Sequence, residues 1–399
     1  MESITRKNYI LIFFSWLTAL ILVSTFIIQG NYVARENDSR LYSRFTQQLN
    51  EKPLKRYLAL EWRDYSSHFA EKETPYVRDH LIGQFLFPVL LAKLGIPATH
   101  SIYIANTIYK ILSLFLLFVI AKKFYSLKLA ALLTILIQLI PVSLNYQMRA
   151  NHEPALLLLV LLAIYSIVNF KENIIFKTLL FISVQFCFLI KGVAFLPLLP
   201  VILATYLIYS YKKDSAYCLK DISLLTFIFL SPLLTAYLYE LAFQATTGHP
   251  FFSKYIKTQL MDRAFKEQSD GILFFKNIKA FGYYLSRTLS YSLPWSLLAL
   301  VLLIKNRKSF KVKKIHLILI TASLIYICTF SISSRTASRY IYPSYFLFAS
   351  SCILYSFSKI EEKIKLSPKG LLIISSVLFV ILSSLSIYKG LGNYSLFEH

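Results

Sequence analysis

Residues 154–192 read PALLLLVLLAIYSIVNFKENIIFKTLLFISVQFCFLIKG, two apolar runs separated by one short charged break. Runs of that length match a bilayer core of about 30 Å. The pattern repeats outward in both directions, too often for the core helices of a soluble domain. Of the 399 residues, 56% are hydrophobic and only 16% charged, where a soluble domain carries roughly 25% charged residues. The runs put spans at 10–29, 101–121, 125–144, 154–170, 176–190, 192–210, 222–243, 281–304, 315–332, 340–357 and 370–388. The expected fold is an all-α polytopic membrane protein crossing about eleven times. The first run, Tyr9 to Ile28, is read as a retained helix, because no small-residue cleavage site follows it.

Charge sets the orientation. With a cytoplasmic N-terminus the inner segments collect nineteen basic residues, among them Lys122, Lys123, Lys212, Lys213, Lys313, Lys314 and Lys363. The short outer segments hold Arg149, Lys191, Arg335 and Arg339. Such a bias predicts N-in and C-out, in a plasma membrane or bacterial inner membrane. The run at 81–95, LIGQFLFPVLLAKLG, is too short to span and contains Pro88. Counting it as a span would invert every later loop, so it is assigned to the outer interface or a re-entrant piece. The net charge of +23 lies scattered in the breaks between spans, which excludes a nucleic-acid-binding domain. Cys187, Cys218, Cys328 and Cys352 show no CxxC spacing and no disulfide framework.

Two long outer loops remain within a single membrane domain. Residues 30–80 carry nine basic and eight acidic residues, and with 81–100 they form the expected active-site region with its interfacial helices. Residues 244–280 include FFSKYIKTQLMDRAF, read as an amphipathic helix. Loops of that length in a compact protein are functional or disordered.

Glu240, Arg287 and His316 fall within the drawn spans, each towards an end. Carriers and pumps place polar groups near the midplane, so clean span interiors weigh against an ion-coupled carrier. The outer edge is where the charges collect. Loop one offers Asp38, then Arg78, Asp79 and His80. NYQMRANHEPALLLL brings His152 and Glu153 to the outer end of a span, and Lys191 ends another. Arg263, Arg335 and Arg339 follow. Arginine and lysine suit phosphate oxygens, while an acid among them can deprotonate a hydroxyl or hold a divalent cation. Any one of these residues alone reads as an ordinary solvated loop charge. Together they describe a site.

The order of motifs resembles the GT-C glycosyltransferases of the protein-mannosyltransferase and aminoarabinose-transferase type. DSRLY at Asp38–Tyr42 is similar to that family's DExxY signature, with Ser39 where the family has Glu. LIKG at Leu189–Gly192 is similar to its LTKG. GHPFFSKYIKTQLMDRAF, SYSLPWSLLALVLL and SSRTASRYIYPSY follow in the family's order, so the resemblance covers residues 1 to about 350. The family's Lys-Pro-Pro appears here as Arg78-Asp79-His80, and the large C-terminal soluble domain of the aminoarabinose enzymes has no counterpart in these 399 residues.

The resemblance implies transfer of a sugar from a polyprenyl-phosphate donor to a hydroxyl of a lipid, glycan or protein outside the cytoplasm. It makes Asp38 the catalytic base and puts Lys191, with Arg78, Arg263 or Arg335, on the donor phosphate. Tyr42, Asp79, His80, His152 and Glu153 would position the acceptor, and a divalent metal on Asp38, Asp79 and Glu153 is one possibility. Two rivals stand beside this reading. A carrier of a lipid-linked sugar would need polar groups along a transbilayer path. A structural subunit would need no constellation of Asp38, Lys191 and Arg263.

Overall fold

The computed structural model describes residues 37–62, 74–146, 150–209, 215–261, 273–307, 312–332 and 336–361, with isolated positions between 373 and 384. The regular structure of the described residues is helical, with a single isolated bridge between Glu61 and Tyr76. In chain order the helices are α1 (Asn37–Glu51), α2 (Gly83–Lys93), α3 (Ala98–Phe124), α4 (Leu127–Leu136), α5 (Pro141–Tyr146), α6 (Glu153–Val168) and α7 (Ile174–Lys191). They continue as α8 (Leu198–Tyr209), α9 (Ser215–Thr247), α10 (Phe252–Ile256), α11 (Leu273–Tyr291), α12 (Trp295–Lys305), α13 (Lys314–Ser331) and α14 (Tyr342–Glu361).

Among the described residues four helices are long and apolar enough to cross a membrane: α3, α7, Leu219–Thr247 within α9, and α13. At 1.5 Å per residue the 27 residues of α3 extend roughly 40 Å, more than a bilayer core. Much of the apolar surface faces outward; Leu233 is 66% exposed and Leu234 61%. A soluble protein does not show contiguous apolar faces on that scale, and a bilayer is the solvent they fit. The chain is an integral membrane protein.

Several expected spans take a different form. The run at 281–304 is two helices, α11 and α12, which meet at 92° between Tyr291 and Trp295. The dipeptide Leu293-Pro294 stands at that corner, where proline removes a backbone donor and interrupts the ladder. The runs at 125–144, 154–170 and 192–210 contain helices of 10 to 17 residues. Pro141 opens a separate short helix at the end of the first. At the start of the third, Gly192 leaves the helical region before α8 begins. The spans at 10–29 and 370–388 lie outside the described residues, apart from isolated positions in the second.

The count of ionisable groups in the spans also needs correction. Lys110 sits mid-way along α3, within the expected span 101–121, and is only 4% exposed. Lys128 and Lys177 likewise fall inside drawn runs, near their ends. Glu240 has a structural explanation: its carboxylate accepts from the backbone N–H groups of Phe251 and Phe252 at 2.8–3.1 Å, fixing the start of α10. Acids near a helix N-terminus are stabilised in this way.

Four apolar clusters are present among the described residues, the smallest joining Ala299 to Cys352 and Tyr355. The largest joins α3, α4, α6, α7, α8, α13 and α14. A second packs Tyr42, Phe45 and Leu49 of α1 against Phe85 and Val89 of α2 and Tyr103 of α3. A third joins Leu81 to Tyr239, Phe243, Phe251 and Tyr255. The second follows from the sequence of α1, whose buried residues Ser39, Tyr42, Ser43, Thr46 and Leu49 recur at three- and four-residue steps. Of the expected site residues, Tyr42 belongs to the second cluster.

Candidate active site

The first carboxylate comes from α1. Asp38 stands in its first turn, where the helix dipole favours a negative charge. Its Oδ2 is ion-paired with a guanidinium nitrogen of Arg339, both side chains being a little over one third exposed. Burial opposes the Arg339 charge, but Asp38 and then Glu153 and Tyr42 more than offset it, so its pKa is raised. Tyr42 lies one turn after Asp38 on the same face, buried at 5% exposure. Its pKa is pushed well up, first by burial and then by the charges of Asp38 and Glu153, so the phenol stays protonated. The Tyr42 hydroxyl is 3.3 Å from His80 Nε2, and His80 Nδ1 is 2.9 Å from Asp79 Oδ1.

The second carboxylate lies deeper. Glu153 is the first residue of α6, and Pro154 follows it at a position where a missing N–H costs nothing. Its side chain is 0% exposed and lies 3.6 Å from Lys191 Nζ and 3.5 Å from His152 Nε2. These are ion-pair distances, and among the described residues neither carboxylate oxygen has a hydrogen-bond partner. Buried polar atoms are rarely left that way. The His152 ring is held by Gln84, whose Oε1 is 3.0 Å from Nδ1.

Lys191 is placed by two glycines. Gly192 ends α7 with φ at +51°, where side chains are rarely tolerated, and an added Cβ would fall 1.9 Å from the Tyr255 hydroxyl. That hydroxyl donates to the Lys191 carbonyl at 3.2 Å. A Cβ at Gly83 would fall 2.4 Å from the Leu189 carbonyl oxygen, so only glycine lets α2 lie against the end of α7. The Lys191 ammonium lies 5.5 Å from the centre of the Tyr340 ring, a cation–π distance. Residues 250–261 close one side: Pro250 accepts from Arg78 at 2.8 Å, and Gln259 donates to the Asp79 carbonyl at 3.2 Å.

Neither a family model nor a curated protein sequence matches the chain. Its three-dimensional structure is similar to that of ArnT from Cupriavidus metallidurans bound to undecaprenyl phosphate. The TM-score is 0.62 at 13% identity, over 91% of this chain and 63% of that one. ArnT in the apo state matches with a TM-score of 0.54 at 12% identity, over 86% of this chain and 59% of that one. The chain has the fold of these ArnT structures. It spans somewhat less than two thirds of the length of these neighbours.

On this fold the expected residues separate into groups. Glu153, Lys191 and His152 form one, Tyr42, His80 and Asp79 a second, and Asp38 is paired with Arg339. Arg78 is committed at least in part to the backbone of Pro250. Arg263 and Arg335 lie outside the described residues, as does Arg149. The three carboxylates proposed as metal ligands each have a cation or histidine of their own. Among the described residues no group of three or more His, Cys, Asp and Glu side chains stands together as a metal site.

The altered signature has a physical reason. Ser39, where the related signature has Glu, is 3% exposed, and its Oγ accepts from the Ala150 N–H at 3.0 Å. It pins α1 to the segment leading into His152 and Glu153, and a glutamate there would bury a second charge. The sequence reading counted Arg339 among the outer cations without giving it a partner, and it did not single out Gln84. Arg339 lies four residues after Arg335 in the same outer turn, and nothing in the spacing says which of the two meets Asp38.

Proposed function

We propose that the protein is a GT-C-type glycosyltransferase that moves a sugar from a polyprenyl-phosphate donor to an acceptor hydroxyl on the extracytoplasmic face. The observation that carries the proposal is the pair of carboxylates, each beside a cation, on a fold whose solved neighbour holds undecaprenyl phosphate. In this reading the chain crosses the membrane about eleven times, N-terminus inside, as its charge bias requires. The acceptor is a lipid, glycan or protein.

The acceptor oxygen attacks the anomeric carbon while the bond from that carbon to the phosphate oxygen breaks. The acceptor proton passes to Asp38, and the phosphate leaves with the bonding electrons. Phosphate is a fair leaving group, so positive charge around it matters more than a strong acid. Lys191 and an arginine supply that charge. Arg339 is already paired with the base, and moving it from Asp38 to the phosphate would free the carboxylate to accept the proton. Glu153, with unfilled acceptor positions, holds the acceptor or a donor-sugar hydroxyl. Tyr42, kept protonated, and His80 orient the same groups. The test is release of polyprenyl phosphate from synthetic polyprenyl-phosphate sugars by the purified protein in nanodiscs. Release by the parent and by the Asp38→Asn variant alike would refute the assignment of the base.

One observation favours a carrier of a lipid-linked sugar instead: the buried Lys110 inside α3. Transbilayer movement of a labelled donor, abolished by Lys110→Leu and unaffected by Asp38→Asn, would decide for the carrier.

A further inference from the structure

The opposite end of the helix bundle carries a second cavity, which the proposed transfer does not use. Lys123 marks that end: its Nζ donates to the carbonyl of Val168 at the end of α6, roughly 22 Å along that helix from Glu153. The cavity holds about 530 Å³ and is lined by Lys122, Lys123, Tyr125, Ser126, Lys313 and Ser358, with Phe124 and Leu129. That volume is in the range of small-molecule sites, about 300–1,000 Å³. Among the described residues no acidic side chain lines it. Lys123 is paired with Glu172 at 2.6 Å. Lys313 lies 3.9 Å from the centre of the Tyr125 ring, a contact that leaves its positive charge uncancelled.

Directly beside it runs an apolar groove of about 770 Å³ between α12, α13 and α14. Leu300, Leu303, Leu317, Ile320 and Phe348 are among its walls. The two spaces share a wall. The backbone N–H of His316, which lines the groove, donates to the carbonyl of Lys313, which lines the cavity, at 3.0 Å. His316 Nε2 is 2.6 Å from the Tyr125 hydroxyl, and Tyr355 and Ser358 of α14 line the groove and the cavity respectively. A polar, cationic chamber therefore opens next to a long apolar trough at one end of a membrane bundle.

We propose that this composite space is a binding site for an anionic glycerophospholipid of the surrounding bilayer, its phosphodiester head among Lys122, Lys123 and Lys313 and its acyl chains in the groove. Charge complementarity and the adjoining apolar channel select a lipid with a phosphate head over a free anion or a neutral lipid. The described lining of the chamber is lysine, serine, tyrosine, phenylalanine and leucine, which suits a resident lipid held by charge.

The test uses the full-length protein in detergent, offered phosphatidylglycerol, phosphatidylcholine or a polyprenyl phosphate, with retention read by native mass spectrometry. Phosphatidylglycerol should be retained about tenfold over phosphatidylcholine. Lys313→Gln should lower its retention about fivefold and the pair Lys122→Gln with Lys313→Gln about twenty-fold, as expected for surface cations near an anionic head group. Lys313→Arg should retain it, and Leu300→Trp, which fills the groove, should lower it with the lysines intact. The basal transferase activity of Lys313→Gln should be unchanged in phosphatidylcholine. Equal retention of phosphatidylcholine, full competition by millimolar inorganic phosphate, preferential retention of the polyprenyl phosphate, or full retention by the double variant would each overturn the proposal.

Discussion

The two ends of the helix bundle use the same residue types in opposite ways. At one end Glu153 is fully buried with Lys191 at 15% exposure, and its carboxylate oxygens lack hydrogen-bond donors among the described residues. At the other, Lys123 and Glu172 meet at 2.6 Å with exposures of 27% and 57%. The second pair is closer and the first is the more consequential. In water a pair at contact distance gains little, because solvent screens it. Out of water each charge is costly to bury and depends on its partner. An incompletely satisfied buried carboxylate is an arrangement that a chain keeps where an incoming group completes it. An exposed pair needs no such account.

The comparison breaks most visibly at Asp38. Asp38→Asn should reduce sugar transfer by about 10²–10⁴-fold, the usual contribution of general-base catalysis. Its thermal stability should change little, because the pair with Arg339 is more than a third exposed. Single-turnover kinetics with a polyprenyl-phosphate sugar measures the first, and differential scanning fluorimetry in detergent the second. Glu153→Gln should show the reverse emphasis. Leaving Lys191 without its counter-charge costs about 3–5 kcal/mol, as for other broken buried pairs. A Glu153→Gln variant that melts with the parent would remove the contrast between the ends.

How much of this was legible beforehand depended on the range of the interaction. The apolar runs announced a membrane bundle, because their length is a property of consecutive residues. His152, Glu153 and Lys191 stood out because each lies at the end of an apolar run, and Asp38 and Tyr42 through the resemblance of DSRLY to a family signature. The bend between Tyr291 and Trp295 was not, since the apolar character continues across it and only Pro294 marks it. Lys110 escaped notice inside a run whose neighbours are apolar. The pairing of Arg339 with Asp38 was illegible in principle. It is decided by contact with a residue some three hundred positions away.

A smaller effect tests how Lys191 is held. Gly192→Ala should cost about 1–3 kcal/mol from backbone strain and lower transfer further by displacing Tyr255. Gly95→Ala is the control, because its φ of +100° is strained in the same sense but nothing lies within 4 Å of an added Cβ. Equal transfer by the two variants would show that Tyr255 does not set the position of Lys191. Ser39→Ala should cost about 1 kcal/mol through the lost hydrogen bond to Ala150. Ser39→Glu, which restores the acid of the related signature, should be worse than alanine in both stability and transfer. A gain in transfer by Ser39→Glu would show that the position belongs to the catalytic machinery.

The smallest effect is the one expected of Glu172. Its carboxylate oxygen is 2.6 Å from Lys123 Nζ, the shorter of the two lysine–glutamate contacts compared here. Distance alone would rank it above the pair of Glu153 and Lys191. Solvent reverses that order: Glu172 is 57% exposed, and Lys123 also donates to the Val168 carbonyl at 3.2 Å, which remains when the acid is neutralised. Glu172→Gln should therefore change stability by no more than about 1 kcal/mol, the upper end for exposed pairs. That small change should shrink as salt rises, since charges exposed to water are screened over roughly 8–10 Å at ordinary ionic strength. The Glu153→Gln loss should be nearly independent of salt. Melting curves of both variants at low and high salt separate the two cases. A Glu172→Gln loss as large and as salt-insensitive as that of Glu153→Gln would mean that proximity, and not burial, governs both ends.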